Sequence, residues 1–221
     1  MSQAACRPQP DAVGFVLAGG RSSRMGADKS LVPFCGRPLL VRALETLRQA
    51  GLPATIAGAR SALSDFAPLV EDLEPHRGPL AGICAALASC TERWAVFVPI
   101  DLPLLPASLL EYLLHHARVT GGAVTIASVN GFAQTFPLVV DRVVLPALEL
   151  ELAHGRGGCF SAFQAATAGL LQAMSVIPAE VLAQTGQAAD PRGLPPIRWF
   201  LNVNAPEDLR RAEAHCTALI A

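Results

Sequence analysis

The segment with the clearest chemical content is a glycine turn followed by basic residues, Leu17-Ala18-Gly19-Gly20-Arg21-Ser22-Ser23-Arg24-Met25-Gly26-Ala27-Asp28-Lys29. Gly19 and Gly20 lack Cβ atoms, so the backbone can turn sharply and present N–H groups to phosphate oxygens. Arg21, Arg24 and Lys29 add three cations within nine residues of a chain that is only 16% charged. The spacing fits neither the Walker A nor the G-x-G-x-x-G pattern. A glycine turn with solvated basic residues is the alternative interpretation.

Strand-like and helix-like stretches alternate on both sides of this turn. Short runs rich in Val and Ile are followed by longer stretches compatible with helices, which is typical of βαβ chains with a largely parallel sheet. The predicted strands are 13–18, 54–57, 95–100, 123–128, 135–140, 173–177 and 198–201, and the predicted helices are 39–50, 80–88, 107–118, 143–154 and 206–219. The turn therefore follows the first strand, at the edge where open α/β sheets bind ligands.

The length and composition favour one domain and a small-molecule partner. The 221 residues are expected to form a single three-layer, Rossmann-like α/β domain with a mostly parallel, mixed central sheet. Residues 1–11 are expected to be a flexible N-terminal segment and 183–196 a surface loop. The formal net charge of −1 argues against a nucleic-acid partner, and the lack of an 18-residue apolar run argues against a membrane span.

The N-terminal residues and the cysteines predict a cytoplasmic protein. No apolar stretch precedes Val13, so the start of the sequence does not fit a secretory signal. The six cysteines are far apart, without a C-x-x-C pair or a Cys/His cluster at metal-ligand spacing. We therefore expect them to be reduced and mostly buried as small apolar residues.

The glycine turn resembles the signature L-A-G-G-x-S-x-R-M-G-x-D-K of the molybdenum cofactor guanylyltransferases, MobA-like members of the nucleotidyltransferase superfamily. Every fixed position from Leu17 to Lys29 matches, and the P-x-x-G-x-P-L continuation is present at 33–39. The resemblance implies the nucleotidyltransferase type of fold. It also implies that Lys29, Arg21 and Arg24 are catalytic and that the nucleotide contacts Leu17, Ala18, Gly19, Gly20 and Lys29.

Two later segments are similar to metal-binding and closing motifs of that family. Asp101 follows an apolar strand-like run, and the resemblance implies that it is a catalytic residue that binds Mg²⁺ and contacts the nucleotide. Asn204, in a segment similar to F-x-N-V-N-T-P-E-D-L, offers a neutral oxygen as a second metal ligand. Asn202 is expected to orient a loop or contact the pterin substrate. For Asp101 and Asn204, the alternative role is a helix cap.

Residues near the base and the second substrate are expected in two glycine-bordered segments. Gly78 begins a Gly-Pro-Leu-Ala-Gly motif that resembles the family's base-binding segment, and Asp72 lies shortly before it. A carboxylate there can accept hydrogen bonds from guanine, although a helix cap or a solvated loop carboxylate explains Asp72 equally well. Arg156, in Gly155-Arg156-Gly157-Gly158, can meet the pterin phosphate, although a glycine-rich helix stop explains the same residues.

The activity implied by the resemblance is Mg²⁺-dependent transfer of GMP from GTP to the terminal phosphate of molybdopterin, or molybdenum cofactor, with release of pyrophosphate. Its implied partners are GTP, molybdopterin and molybdoenzyme-maturation proteins. Alternatives that stay open are molybdopterin cytidylyl transfer, sugar-1-phosphate nucleotidyl transfer, and a non-catalytic nucleotide or pterin carrier.

Overall fold

A mixed β-sheet forms the centre of the computed structural model, which describes residues 11–18, 28–58, 63–71, 78–155 and 158–216. The strands are β1 (Ala12–Leu17), β2 (Pro33–Phe34), β3 (Arg37–Pro38), β4 (Ala54–Ala57), β5 (Leu69–Val70), β6 (Trp94–Pro99), β7 (Val124–Val129), β8 (Phe132–Asp141) and β9 (Ser175–Pro178). Seven of them pair in the order β5-β4-β1-β6-β8-β7-β9, while β2 and β3 form a separate hairpin. Only β8 pairs antiparallel to its neighbours, so the predicted mostly parallel, mixed sheet is confirmed.

Helices cover both faces of this sheet. They are α1 (Leu39–Gln49), α2 (Pro79–Ser89), α3 (Ala107–Thr120), α4 (Leu145–Ala153), α5 (Cys159–Gly169), α6 (Ala179–Gln184), α7 (Pro196–Trp199) and α8 (Pro206–Glu213), with short 3-10 turns at Lys29–Leu31 and Arg142–Val144. On one face, Val16 of β1 packs in a core with α1 and α3. On the other face, Phe15 stacks on Phe97 at 5.3 Å between ring centroids, in a core with α2, α4 and α5. Successive residues of a strand point to opposite faces, which is how β1 contributes to both cores.

A third and smaller core joins parts of the chain that are far apart in sequence. It consists of Phe34, Leu39, Leu104, Val203 and Ala212, all buried, and we call it the small core. These residues come from the β2–β3 hairpin, the start of α1, the loop after β6, and the segment that contains α8. Since the hairpin and the start of α1 are contiguous, the small core fixes three distant segments, 34–39, the loop at Leu104 and 203–212, against one another.

The segment predicted as the last strand, 198–201, is helical at its start. Pro196 occupies the first turn of α7, where its fixed φ and missing N–H suit a helix. The Trp199 indole N–H donates to the Leu194 carbonyl at 2.8 Å, which holds this short helix in place. The 183–196 stretch is also not purely a surface loop, because its two ends are helical and Ala188 and Asp190 within it are buried.

The prediction that the cysteines are all reduced is wrong for one pair. Cys35, in the β2–β3 turn, forms a disulfide with Cys216, which lies beyond α8 and 181 residues further along the chain. Sequence spacing could not show this proximity, because it arises from the packing of α8 beside the hairpin. Cys84, Cys90 and Cys159 are free and buried, as expected, and Cys6 lies outside the described residues. No helix in the described part of the chain is both long and apolar enough to cross a bilayer.

Gly14 provides a direct test of how closely β1 and α1 pack. A Cβ at this position would lie 2.7 Å from Leu47 Cδ2, and Leu47 is fully buried. We expect Gly14→Ala to lower the free energy of unfolding by about 1–3 kcal/mol, because the core must shift to admit a methyl group. Urea denaturation measures the change. Gly169→Ala, at the end of α5 where nothing lies within 4 Å of the new Cβ, is the matched control and should be nearly neutral. Equal effects of the two substitutions would contradict the packing argument.

Candidate active site

The sheet reverses its strand order between the neighbouring strands β1 and β6. From β1 the chain adds β4 on one side and later β6 on the other, and both pair parallel to β1. Leu17 and Pro99, the last residues of β1 and β6, are register partners, so the two strands end at the same edge. Ligands of open α/β sheets bind outside such a point of reversal. Asp101 lies two residues beyond the end of β6, at this same edge.

Lys29 reaches this edge from the 3-10 turn Lys29–Leu31. The Asp28 carboxylate caps the turn by accepting from the Ser30 N–H at 3.0 Å, and Ser30 is buried. The cap therefore fixes the backbone of Lys29, the first residue of this turn. Lys29 is the single lysine in the chain, which makes its ammonium group unique.

Lys29, Asp101 and Asn204 meet although they come from three separate segments. The Lys29 Nζ donates to Asn204 Oδ1 at 2.6 Å and to Asp101 Oδ2 at 3.3 Å. The side chains of Lys29 and Asp101 are 15% and 22% exposed, so the ion pair is partly shielded while still open to solvent. One cation therefore lies between a carboxylate oxygen and an amide oxygen at the carboxyl edge of the sheet.

Backbone contacts fix Asn204 relative to Asp101. The Val203 N–H donates to the Asp101 carbonyl at 2.9 Å, and Val203 belongs to the small core. Asp208 Oδ2 accepts from the N–H groups of Asn204 and Ala205, at 3.1 and 2.9 Å. The segment before α8 is thus held at both ends. Residues 201–204 pair with no strand of the sheet, so Asn202 and Asn204 lie in the loop before α8.

Neither Asp101 nor Asn204 acts as a helix cap. The residue that caps α3 is Pro106, five positions after Asp101, and the residue that caps α8 is Ala205. Ala205 has no side-chain acceptor, so Asp208 provides the capping contact from within the helix. The helix-cap alternative is therefore wrong for both Asp101 and Asn204.

The side-chain oxygens of Asp101 and Asn204 suit a hard divalent cation as ligands. Asp101 and Asn204 both direct oxygen atoms toward one positive charge, the Lys29 ammonium. Mg²⁺ prefers oxygen ligands and usually takes one or two from the protein, with water and phosphate oxygens completing its coordination. Among the described residues there is no cluster of three or more His, Cys, Asp or Glu side chains that could enclose a metal. A site of this kind therefore suits a metal ion that arrives with a nucleotide.

The other predicted site residues are distributed as follows. Gly78 directly precedes α2 with φ 79° and ψ −176°, a conformation that is essentially restricted to glycine. Leu17 is buried at the end of β1, and Ala18 donates its N–H to the Ala57 carbonyl at 3.1 Å. Asn202 is exposed in the segment before Asn204. The predicted residues outside the described part of the chain are Gly19, Gly20, Arg21, Arg24, Asp72 and Arg156.

Sequence reasoning missed the residues that hold the site together. The predicted helix 206–219 includes Asp208 but assigns it no contact, and the small core is not predicted from the sequence. A signal for Asp208 is present in the sequence, because an acidic residue at the third helical position is half of a capping box. No comparable signal marks the small core, since its members are ordinary apolar residues scattered from 34 to 212.

Asp208→Ala should weaken the site more than it weakens the fold. Loss of the Asp208 carboxylate leaves the N–H groups of Asn204 and Ala205 without their acceptor, which lowers the free energy of unfolding by about 1 kcal/mol. Because the lost contact positions Asn204, we expect the Mg²⁺ concentration for half-maximal activity to rise about fivefold. Initial rates of pyrophosphate release across a Mg²⁺ titration measure it.

Glu207→Ala is the control for Asp208→Ala. It removes another first-turn carboxylate of α8, one that is exposed and pairs with Arg211 one helical turn further along. The same Mg²⁺ shift in both variants would mean that helix charge, and not the position of Asn204, is responsible.

Solved structures identify the fold. The molybdopterin-guanine dinucleotide biosynthesis protein A of Archaeoglobus fulgidus superposes with a TM-score of 0.74, covering 92% of this chain and 98% of that chain. At 23% identity this similarity establishes the fold. This chain and that protein thus share one α/β fold.

The MobA-like NTP transferase domain model matches residues 14–173, and the chain belongs to that family. A molybdenum cofactor guanylyltransferase of Xanthomonas euvesicatoria is 47% identical over 103 residues, which are 46% of this chain and 52% of that protein. A probable molybdenum cofactor guanylyltransferase of Haloferax mediterranei is 31% identical over 210 residues, 89% of this chain and 90% of that protein. The match thus spans about half of the first relative and nearly all of the second.

Proposed function

We propose that this chain transfers GMP from GTP to the terminal phosphate of molybdopterin or the molybdenum cofactor and releases pyrophosphate, with Mg²⁺ as its metal. The observation that carries the proposal is the convergence of Lys29 on Asp101 and Asn204, at 3.3 and 2.6 Å, where β1 and β6 end. The names of the two relatives support guanine as the base and the molybdenum cofactor as the acceptor.

Asp101 and Asn204 would hold the metal through their side-chain oxygens. Bound there, Mg²⁺ would supply positive charge to offset negative charge on the phosphates of the nucleotide. Lys29 now contacts the same two oxygens. With a metal ion on Asp101 and Asn204, the Lys29 ammonium would be free to bind phosphate oxygens.

The remaining work of the chain is binding and alignment. The terminal phosphate of the acceptor is a nucleophile at neutral pH, so the site needs no strong general base. Lys29, with Arg21 and Arg24, neutralises the triphosphate and the departing pyrophosphate, and Gly19 and Gly20 donate backbone N–H groups. Asp72 and Gly78 would contact the base and ribose, and Asn202 and Arg156 the pterin substrate.

The experiment that tests this function offers the protein Mg²⁺, molybdopterin and each of the four nucleoside triphosphates in turn. We expect pyrophosphate release with GTP alone, together with a guanine dinucleotide product detected by mass spectrometry. Release with CTP alone would replace this proposal with cytidylyl transfer. Binding of GTP without pyrophosphate release, with active acceptor present, would point to a nucleotide carrier instead.

We also propose a cytoplasmic location and delivery of the product to molybdoenzyme-maturation proteins. The support is chemical: a nucleotide substrate at cellular concentration and a pterin acceptor are both required at the site. Fractionation of cells that express the full chain, with the product followed by mass, tests the location.

A further inference from the structure

Cys35 and Cys216 connect the same two segments that bring Lys29 and Asn204 together. Cys35 lies six residues after Lys29, and Cys216 lies twelve residues after Asn204. The segment 29–38 and the segment 203–216 thus meet at the Lys29–Asn204 hydrogen bond and again at the disulfide. Between these two points, Phe34 of the first segment and Val203 and Ala212 of the second pack in the small core.

The local environment suits a reactive pair of thiols. Cys35 is exposed and Cys216 is half-buried, so small molecules can reach them. The Cα atoms are 6.5 Å apart, a separation that a disulfide spans without movement of the backbone. An Arg42 guanidinium nitrogen lies 3.9 Å from the Cys216 sulfur, where its charge would stabilise the thiolate of the reduced form. The Cys35 N–H donates to a Glu213 carboxylate oxygen at 3.2 Å.

The other described cysteines lie in the opposite kind of environment. Cys84, Cys90 and Cys159 are buried, and burial raises the pKa of Cys84 to about 12 and that of Cys159 to about 11. Thiols of this kind are almost entirely protonated at neutral pH and react slowly. Among the described cysteines, Cys35 and Cys216 are therefore accessible to small molecules, while the other three are buried and unreactive.

We propose that Cys35 and Cys216 are a thiol–disulfide modification site that controls how firmly the nucleotide site is assembled. The co-reactant is a low-molecular-weight disulfide such as glutathione disulfide. The Cys216 thiolate attacks it, forms a mixed disulfide and releases one thiol. Cys35 loses its proton to solvent and attacks the Cys216 sulfur, which releases the second thiol. Two protein thiols are oxidised, and one external disulfide is reduced to two thiols.

The direction of the effect follows from the position of the bridge. The closed disulfide limits the relative motion of segments 29–38 and 203–216, so Lys29, Asn204 and their backbones are ordered before the nucleotide binds. Preordered groups lose less conformational freedom on binding. The oxidised protein therefore binds Mg·GTP more tightly than the reduced protein. This effect on binding rests on the proposed function, whereas formation of the bridge does not.

The test uses the full chain with Cys6→Ser as background, so that the thiols counted all belong to described residues. Protein is treated with glutathione disulfide or with dithiothreitol, and thiols are counted by alkylation and mass spectrometry after unfolding. We expect oxidation to protect two thiols, mapped to Cys35 and Cys216. We also expect the KM for Mg·GTP to be about fivefold lower in the oxidised protein, and Cys216→Ser to behave as reduced protein under both conditions. Cys84→Ser is the control that should follow the parent protein.

A second measurement does not depend on catalysis. Because Lys29 is the only lysine, protein labelled with ¹³C-lysine gives one side-chain Cε resonance, which should differ between the oxidised and reduced states. An unchanged thiol count after oxidation would overturn the modification site. A bridge that forms while KM and the Lys29 resonance stay the same would overturn its control of the site. If neither state releases pyrophosphate, the fault lies with the proposed function, and the thiol count and the Lys29 resonance still decide this inference.

Discussion

Asp101→Asn lowers the turnover of GMP transfer by about a hundredfold or more at saturating substrates and Mg²⁺, because the proposed metal site loses the carboxylate charge of Asp101. The substitution preserves the shape of the side chain and leaves an amide oxygen for the Lys29 ammonium, which now lies 3.3 Å from Asp101. The Asp101 side chain is also partly exposed, so the fold does not depend on its charge. Pyrophosphate release under single-turnover conditions measures the loss.

Two controls separate the metal role of Asp101 from general effects of charge. Glu111→Gln removes an exposed carboxylate from α3 and should keep the parent rate. Thermal unfolding of Asp101→Asn should stay within a few degrees of the parent protein, as is usual for a substitution outside the core. Parent-level pyrophosphate release by Asp101→Asn at saturating Mg²⁺ would remove Asp101 from the metal site.

Lys29→Met has the second large effect, a fall in turnover of about a hundredfold. Methionine keeps much of the aliphatic length of lysine and removes its charge, so phosphate oxygens lose a donor while the 3-10 turn that carries the side chain is retained. The turn depends on the Asp28 cap and on buried Ser30, neither of which contacts the ammonium in the described structure. Steady-state rates with GTP measure the effect, and the loss should appear mainly in kcat.

Lys29→Arg and Arg198→Met are the comparisons for this prediction. Arginine restores the charge with a different geometry, so we expect partial recovery, while Arg198 is an exposed cation of α7 whose loss should be silent. In parent protein with ¹³C-labelled lysine, the single Cε resonance should shift when Mg²⁺ and a non-hydrolysable GTP analogue are added. A resonance that does not respond to either addition would place Lys29 outside the nucleotide site.

Much of the fold could be predicted because the strands are short apolar runs with clear ends. The predicted strand 54–57 coincides with β4, and the strand predicted at 95–100 differs from β6 by one residue at each end. Helix starts and ends were also readable, since Gly51 follows α1 with a φ of +74° and Pro206 begins α8. The convergence of Lys29 and Asp101 follows from a general rule, namely that parallel strands present their carboxyl ends at one edge.

The failures have physical causes that can be named. Helix α5 was missed although its buried residues Cys159, Ala162, Phe163 and Ala166 follow helical spacing, because small residues give a weak apolar pattern. Residues 198–201 were interpreted as a strand from their aromatic and apolar composition, whereas Pro196 and the Trp199–Leu194 hydrogen bond favour a helix. The disulfide depends on tertiary packing alone.

The hydrogen bond between Lys29 and Asn204 joins residues 175 positions apart in the chain. During synthesis the glycine turn and Asp101 leave the ribosome well before Asn204 does. A growing polypeptide that already has β1 and β6 therefore lacks one of the three groups that meet at the site, and it cannot sequester a metal–nucleotide complex in the finished arrangement. Under the proposed function, competence to bind the nucleotide is acquired late, when the segment around α8 docks, so an incomplete translation product would bind guanine nucleotides poorly.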